Sequence, residues 1–292
     1  MVTLPASTLD DNGRFSRYNS PYAAHDGGAA VDLYPEDDVA PSPVAGEVLE
    51  TRRVQCPSRP HAESHDYLVV VDTGTFLARI LHVEPSVDPG DTVARGDSLG
   101  RLVRSGYFAP WVDDHVHLGL RPRGANVLRA TGSLPLTIDV PVEPVPWDGT
   151  GRVVATGDTY ALLDAPDHPD PGGVFAGIAD GTGQFVLDGG LPHYEWGGRL
   201  APDPADRRRD QVVVGDSSPA AKSDPSPVSL LGTRVGTATG ESVRWRNVDV
   251  LVDGEPILGL SFVLGRERVA AKLVERDRDF AVGAAVSVAI DG

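Results

Sequence analysis

The chain has 292 residues, enough for two domains with cores of their own. Its 42 acidic residues outweigh 26 basic ones and give a formal net charge of -16. Such a surface repels nucleic acid and anionic membranes, so neither is expected as a partner. A single cysteine, Cys56, excludes an internal disulfide.

The acid is mostly Asp, and Lys222 and Lys272 are the only lysines. That composition fits an acidic, halophilic protein, because high salt screens the self-repulsion of a strongly charged surface. The first eleven residues, Met1 to Asp11, have no basic stretch followed by an apolar one, so they do not read as a signal peptide. No apolar run approaches the roughly 20 residues that span a bilayer. The expectation is a cytoplasmic protein without membrane insertion; the oligomeric state is left open.

Along the chain, short β-branched runs alternate with turn signals. The runs are Tyr67–Val71, Phe76–Leu81, Gln211–Val214, Val248–Val252 and Ala281 to Ile290. Asp72-Thr-Gly74, Asp88-Pro-Gly90 and Asp253-Gly254 punctuate them. The pattern predicts an all-β protein without a long amphipathic helix. The Pro-rich stretch from Asp139 to Pro146 reads as a stiff linker. It gives an N-terminal domain over 1–138, a linker over 139–150 and a β-rich domain over 151–292. A second break, Ala201 to Val228, is rich in Asp, Pro and Ser around Arg207-Arg-Arg209 and reads as a long exposed loop.

Chemistry concentrates in the first domain. His25 is followed by Asp32, and Val39 to Val48 carries two prolines and a glycine. His82 precedes the glycine-punctuated run Val87 to Gly100, and His115-Val116-His117 comes last. On a strand, side chains at i and i+2 share a face, so His115 and His117 can serve one site. Neutral His and ionised Asp are ordinary zinc ligands, and a catalytic zinc uses three protein ligands plus water.

The order of these four pieces resembles the lysostaphin-type (LytM-like) zinc metallopeptidases, over roughly residues 20 to 122. That resemblance implies a β-sandwich of the duplicated hybrid motif type, a Zn2+ cofactor and a peptide substrate. Carried over by motif, it places zinc ligands at His25, Asp32 and His117, and catalytic assistance at His82 and His115. In this reading water is activated on zinc and a peptide bond is hydrolysed. Two departures stand out. Six residues separate His25 from Asp32 where the family usually has three, and Ile80 stands where it often has Tyr.

An alternative is a non-catalytic binding or scaffold protein that keeps the peptidase fold. A lipoyl- or biotinyl-type carrier also has the glycine-punctuated hairpin, but it presents a modifiable lysine, and residues 1 to 221 contain none. Cys56, His61 and His65 look metal-like but lack an evident fourth ligand, so they read as a polar loop. Asp113 and Asp114 read as a solvated turn, or as partners for the second nitrogen of a ligand imidazole. Phe108, Pro110 and Trp111 are candidates to line a groove. His168 and His193 read as surface-loop residues.

Overall fold

The computed structural model describes residues 1–210 and 224–292. The Gln211–Val214 run and Lys222 lie outside the described residues. Strands dominate, and the one α-helix among the described residues, Pro204–Asp210, is short, so the protein is all-β. The chain forms two compact units. One comprises Val2–Phe15 and Tyr22–Leu136; the other comprises Met1, Ser16–Pro21 and Thr137–Gly292.

The first unit is built on a seven-stranded sheet. Its centre runs Val31–Tyr34, Val116–Pro122, Phe76–Leu81, His65–Asp72 and Gly46–Gln55 in antiparallel neighbours. The strand residues alternate in the way period 2 requires. Val69, Ile80 and Leu118 are opposite one another and fully buried. Leu68, Leu81 and His117 are opposite one another on the other face. A smaller sheet of Val39–Pro41, Ser98–Leu102 and Val83–Pro85 completes the unit. Gly100 is required where it stands: it has φ +141, and a Cβ there would sit 2.0 Å from the Glu84 carbonyl oxygen.

The second unit assembles twelve strands into one sheet among the described residues, and its aliphatic core includes Leu187, Leu191, Leu260 and Leu273. Within the Pro-rich stretch, Val142–Val145 pairs in parallel with Phe175–Ile178. Where one long loop is expected from Ala201 to Val228, the described residues include a helix, Pro204–Asp210, and the start of a strand, Ser226–Leu230. Pro204 opens a helix at the position that tolerates a missing N–H, and Asp203 accepts the Ala205 N–H at 2.7 Å as its N-cap. Arg207 is buried, not part of an exposed basic spot. Its guanidinium donates to the carbonyls of Ala201, Pro202 and Ile138 at 2.6, 3.0 and 3.2 Å. Composition shows polarity but not which carbonyls a single arginine will satisfy. His193 stands in the turn after Leu191, half-buried, where it packs over Gly190 and Gly259 and meets Ser261 Oγ at 3.3 Å.

Six residues from near the N-terminus belong to this second unit. Ser16 Oγ and the Arg17 N–H both donate to Asp188, at 2.6 and 2.7 Å. The Arg17 guanidinium is buried against Glu241 in a salt bridge 1% and 3% exposed. Removing one member of a buried pair costs about 3–5 kcal/mol, because the other charge stays desolvated. Glu241→Ala in the full chain is therefore expected to lower stability by about that amount in urea unfolding. A loss below about 1 kcal/mol would mean the strap contributes little.

Candidate metal centre

Five polar side chains converge in the first unit: His25, Asp32, His82, His115 and His117, each 5% exposed or less. The register of the sheet brings the first members together. Asp32 and His117 are cross-strand partners in the antiparallel pair of Val31–Tyr34 and Val116–Pro122. Directly opposite residues present their side chains on the same face, about 5 Å apart at Cβ. His117 Nδ1 lies 3.0 Å from Asp32 Oδ1.

His25 arrives from outside the sheet. It sits in the turn Ala23–Gly28, where Gly27 and Gly28 take φ +61 and +68. Those left-handed steps, easy only for glycine, fold the extra residues between His25 and Asp32 back on themselves. The unusual spacing is thus absorbed in a compact turn. His25 Nε2 ends 3.2 Å from His117 Nδ1 and 3.3 Å from Asp32 Oδ1.

These three residues form a group able to hold a metal ion, with all three ligand atoms mutually close. Tetrahedral zinc with bonds of about 2.0–2.1 Å separates its ligand atoms by about 3.3–3.4 Å. The observed spacings of 3.0, 3.2 and 3.3 Å are slightly tighter, so the donor set fits such an ion with little movement. The electrostatics agree. Burial alone would raise the Asp32 pKa, yet His115, His25 and the hydrogen bonds from His117 and His25 hold it well below the usual carboxylate range. Burial pushes His117 down to about 3 against the pull of Asp32. Burial likewise lowers His115, with Asp32 opposing. Ionised carboxylate and neutral imidazole are the ligand forms a divalent cation needs.

His115 and His82 flank this group. His115 Nδ1 donates to the Asp113 carbonyl at 2.9 Å, which fixes the proton on Nδ1 and leaves the Nε2 lone pair 3.4 Å from Asp32 Oδ1. It is the Asp113 backbone, not a carboxylate of the Asp113-Asp114 pair, that orients this ring. The two carboxylates pair with Arg14 and Arg104 at 2.7 and 2.8 Å. Arg104 also donates to the carbonyls of Pro110 and Val112, and so braces the loop before the histidines. Phe108 from that loop stacks on His115 with centroids 4.5 Å apart and meets His82 edge-on at 4.6 Å. Trp111 is buried as well.

His82 has φ +69, a left-handed conformation that costs a non-glycine residue about 1–3 kcal/mol. Asp66 offsets that cost. One of its oxygens accepts the His82 backbone N–H at 3.0 Å, and the other accepts Nδ1–H at 2.7 Å. Asp66 is fully buried, and its pKa is lowered: burial opposes ionisation, but His82 and the Tyr67 and Ser105 hydrogen bonds outweigh it. The sequence points to His82 but not to Asp66, because a reach across 16 residues depends on the irregular backbone at His82. Tyr34 is a second unforeseen neighbour, its ring 5.2 Å from His115. It lies two residues beyond Asp32, the spacing that keeps a strand face.

Cys56, His61 and His65 do not converge. Cys56 Sγ donates to the Glu63 carbonyl, His61 Nε2 meets the Phe108 carbonyl at 3.0 Å, and His65 meets Arg53 at 2.9 Å. Ile80 points into the opposite, apolar face beside Leu118, and supplies nothing to the site.

Family profiles match almost the whole chain: the "Domain of unknown function (DUF8155) N-terminal domain" over residues 3–138 and its C-terminal domain over residues 143–291. The chain belongs to the DUF8155 family. No curated protein matches it. A solved structure described as "A Novel M23 Metalloprotease Pseudoalterin from Deep-sea" is similar at 16% identity, over 45% of this chain and 78% of that one. Its TM-score is 0.28. Among the described residues no helix is long and apolar enough to cross a membrane.

The Asp66 arrangement has a direct test. Asp66 keeps the His82 proton on Nδ1, and Asp66→Asn places an amide donor against that nitrogen. Long-range proton–nitrogen NMR should show wild-type His82 as the Nδ1–H tautomer and the variant as Nε2–H. An unchanged tautomer would contradict the assigned role of Asp66.

Proposed function

We propose that the first unit is a zinc-dependent metallopeptidase of the lysostaphin type, hydrolysing a peptide bond. The observation that carries this reading is the packing of His25 Nε2, Asp32 Oδ1 and His117 Nδ1 at tetrahedral ligand spacing, with His115 and His82 at its edge. His25, Asp32 and His117 would hold the ion. The chemistry zinc supplies is Lewis acidity: water beside it ionises near neutral pH, and a carbonyl oxygen is polarised.

The chain's own residues do the rest. His115, with its proton fixed on Nδ1, offers Nε2 as a base beside Asp32 and can return that proton to the leaving amine. His82, held by Asp66, offers a second Nε2 toward the same centre. Phe108 packs against both rings. The proposed partner is a peptide, and the unit corresponding to residues 1–138 carries the activity. No nucleic-acid partner or membrane insertion is part of this reading, and the location proposed is the cytoplasm. Residues 139–150 are proposed as a connector to the β-rich region 151–292.

The second reading, a binding or scaffold protein that retains the fold, is favoured by one observation. Phe108 stacks on His115, and every imidazole of the centre is nearly buried. The discriminating experiment is His115→Ala in zinc-loaded protein, assayed on a mixed peptide library by mass spectrometry. General acid–base assistance contributes about 100- to 10,000-fold, so the variant should lose at least about 100-fold in cleavage while retaining zinc. Zinc-loaded wild type that cleaves nothing would favour the scaffold reading.

A further inference from the structure

Arg79 is a buried cation whose hydrogen-bonding capacity is only partly used. It lies opposite Gly119 in the pairing of Phe76–Leu81 with Val116–Pro122, two residues from the pair Leu81 and His117. Two residues of strand keep the face and advance it by about 6.8 Å. Arg79 therefore stands on the face of the sheet that carries the metal centre, one pleat repeat away. Leu68, Val70, Leu77 and Leu81 make the apolar floor around it, and Val127 packs on them.

Arg79 is 9% exposed. Its Nε donates to the Val127 carbonyl at 2.9 Å, which fixes the plane of the guanidinium. Among the described residues, no carboxylate forms a salt bridge with it, and no acceptor takes its Nη1 or Nη2 hydrogens. Asp66 attracts it from a distance, but the oxygens of Asp66 are committed to His82, Tyr67 and Ser105. Its neighbour Arg121 is another cation, spent on the carbonyls of Asn126 and Arg129. Burial, with Arg121 beside it, lowers the Arg79 pKa to about 10. A buried charge is ordinarily paired. The two Nη groups form the edge of a guanidinium that matches a carboxylate with two parallel hydrogen bonds.

We propose that Arg79 receives a carboxylate of the bound peptide, so that the centre selects peptides with an acidic side chain or a free C-terminus close to the bond presented to the metal. This rests on the peptidase reading for the identity of the ligand as a peptide. A lysine there would supply the charge without the two-pronged match.

The test uses the full zinc-loaded chain and four hexapeptides: all-alanine with both ends blocked, the same with a central Glu, the same with a central Gln, and all-alanine with a free C-terminal carboxylate. Binding is read by calorimetry and cleavage by mass spectrometry. The Glu or the free-carboxylate peptide should bind at least about tenfold more tightly than its neutral counterpart, the scale of a charge-assisted pair. Whichever of the two gains identifies the source of the carboxylate. Arg79→Met should erase the preference with zinc content unchanged, and Arg79→Lys should keep only part of it. If Arg79→Met does not fold, Arg79→Lys and the wild-type comparison of each carboxylate peptide with its neutral counterpart still decide. Equal binding of all four, no binding of any, or a preference that survives Arg79→Met overturns the proposal. Arg79-dependent binding without cleavage would count against the peptidase reading alone; cleavage indifferent to acid would count against this inference alone.

Discussion

The first unit depends on the alignment of Asp32 opposite His117 across two antiparallel strands. A shift of one residue in that pairing would send both side chains to opposite faces. It would also put either Val31 and Leu33 or Val116 and Leu118, all essentially buried, on the polar side. The apolar pattern that stabilises the sheet therefore fixes the geometry of the candidate centre. Stability and site are specified by the same register.

Around that pair the chain spends unusual conformations. Two left-handed glycines fold His25 inward, and a left-handed His82 is held by a buried carboxylate. A strained position like that of His82 persists only where the surroundings over-determine it. Burial lowers the pKa of His115 and His117, and the surrounding imidazoles hold Asp32 well below the usual carboxylate range, which are the shifts that favour ligand forms. The same burial places the Phe108 ring against two of the histidines.

Much of this was legible in the sequence, for identifiable reasons. Val116, Leu118 and Leu120 mark a strand, and the i, i+2 histidines then share a face by geometry alone. The all-β class follows from short β-branched runs cut by Asp-Gly and Pro-Gly. What stayed hidden depends on three-dimensional closure. Asp66 serves His82 only because the backbone at His82 turns left-handed. Arg79 reads as one polar residue in an apolar strand until the register shows that it shares a face with His117. The helix at Pro204 sits in a segment whose composition signals a loop, and its Asp203 cap is visible only with hindsight. The Ser16–Pro21 strap joins the second unit through Asp188 and Glu241, partners far away in sequence that no local pattern announces.

Everything proposed for the first unit turns on whether His25, Asp32 and His117 hold one zinc ion. Elemental analysis of purified protein, loaded with zinc and dialysed, tests it most directly when wild type is run beside His117→Ala. About one zinc per chain is expected in the wild type, with loss of that zinc in the folded variant. Folded wild-type protein that retains no stoichiometric zinc, or a variant that retains as much as the wild type, would contradict it.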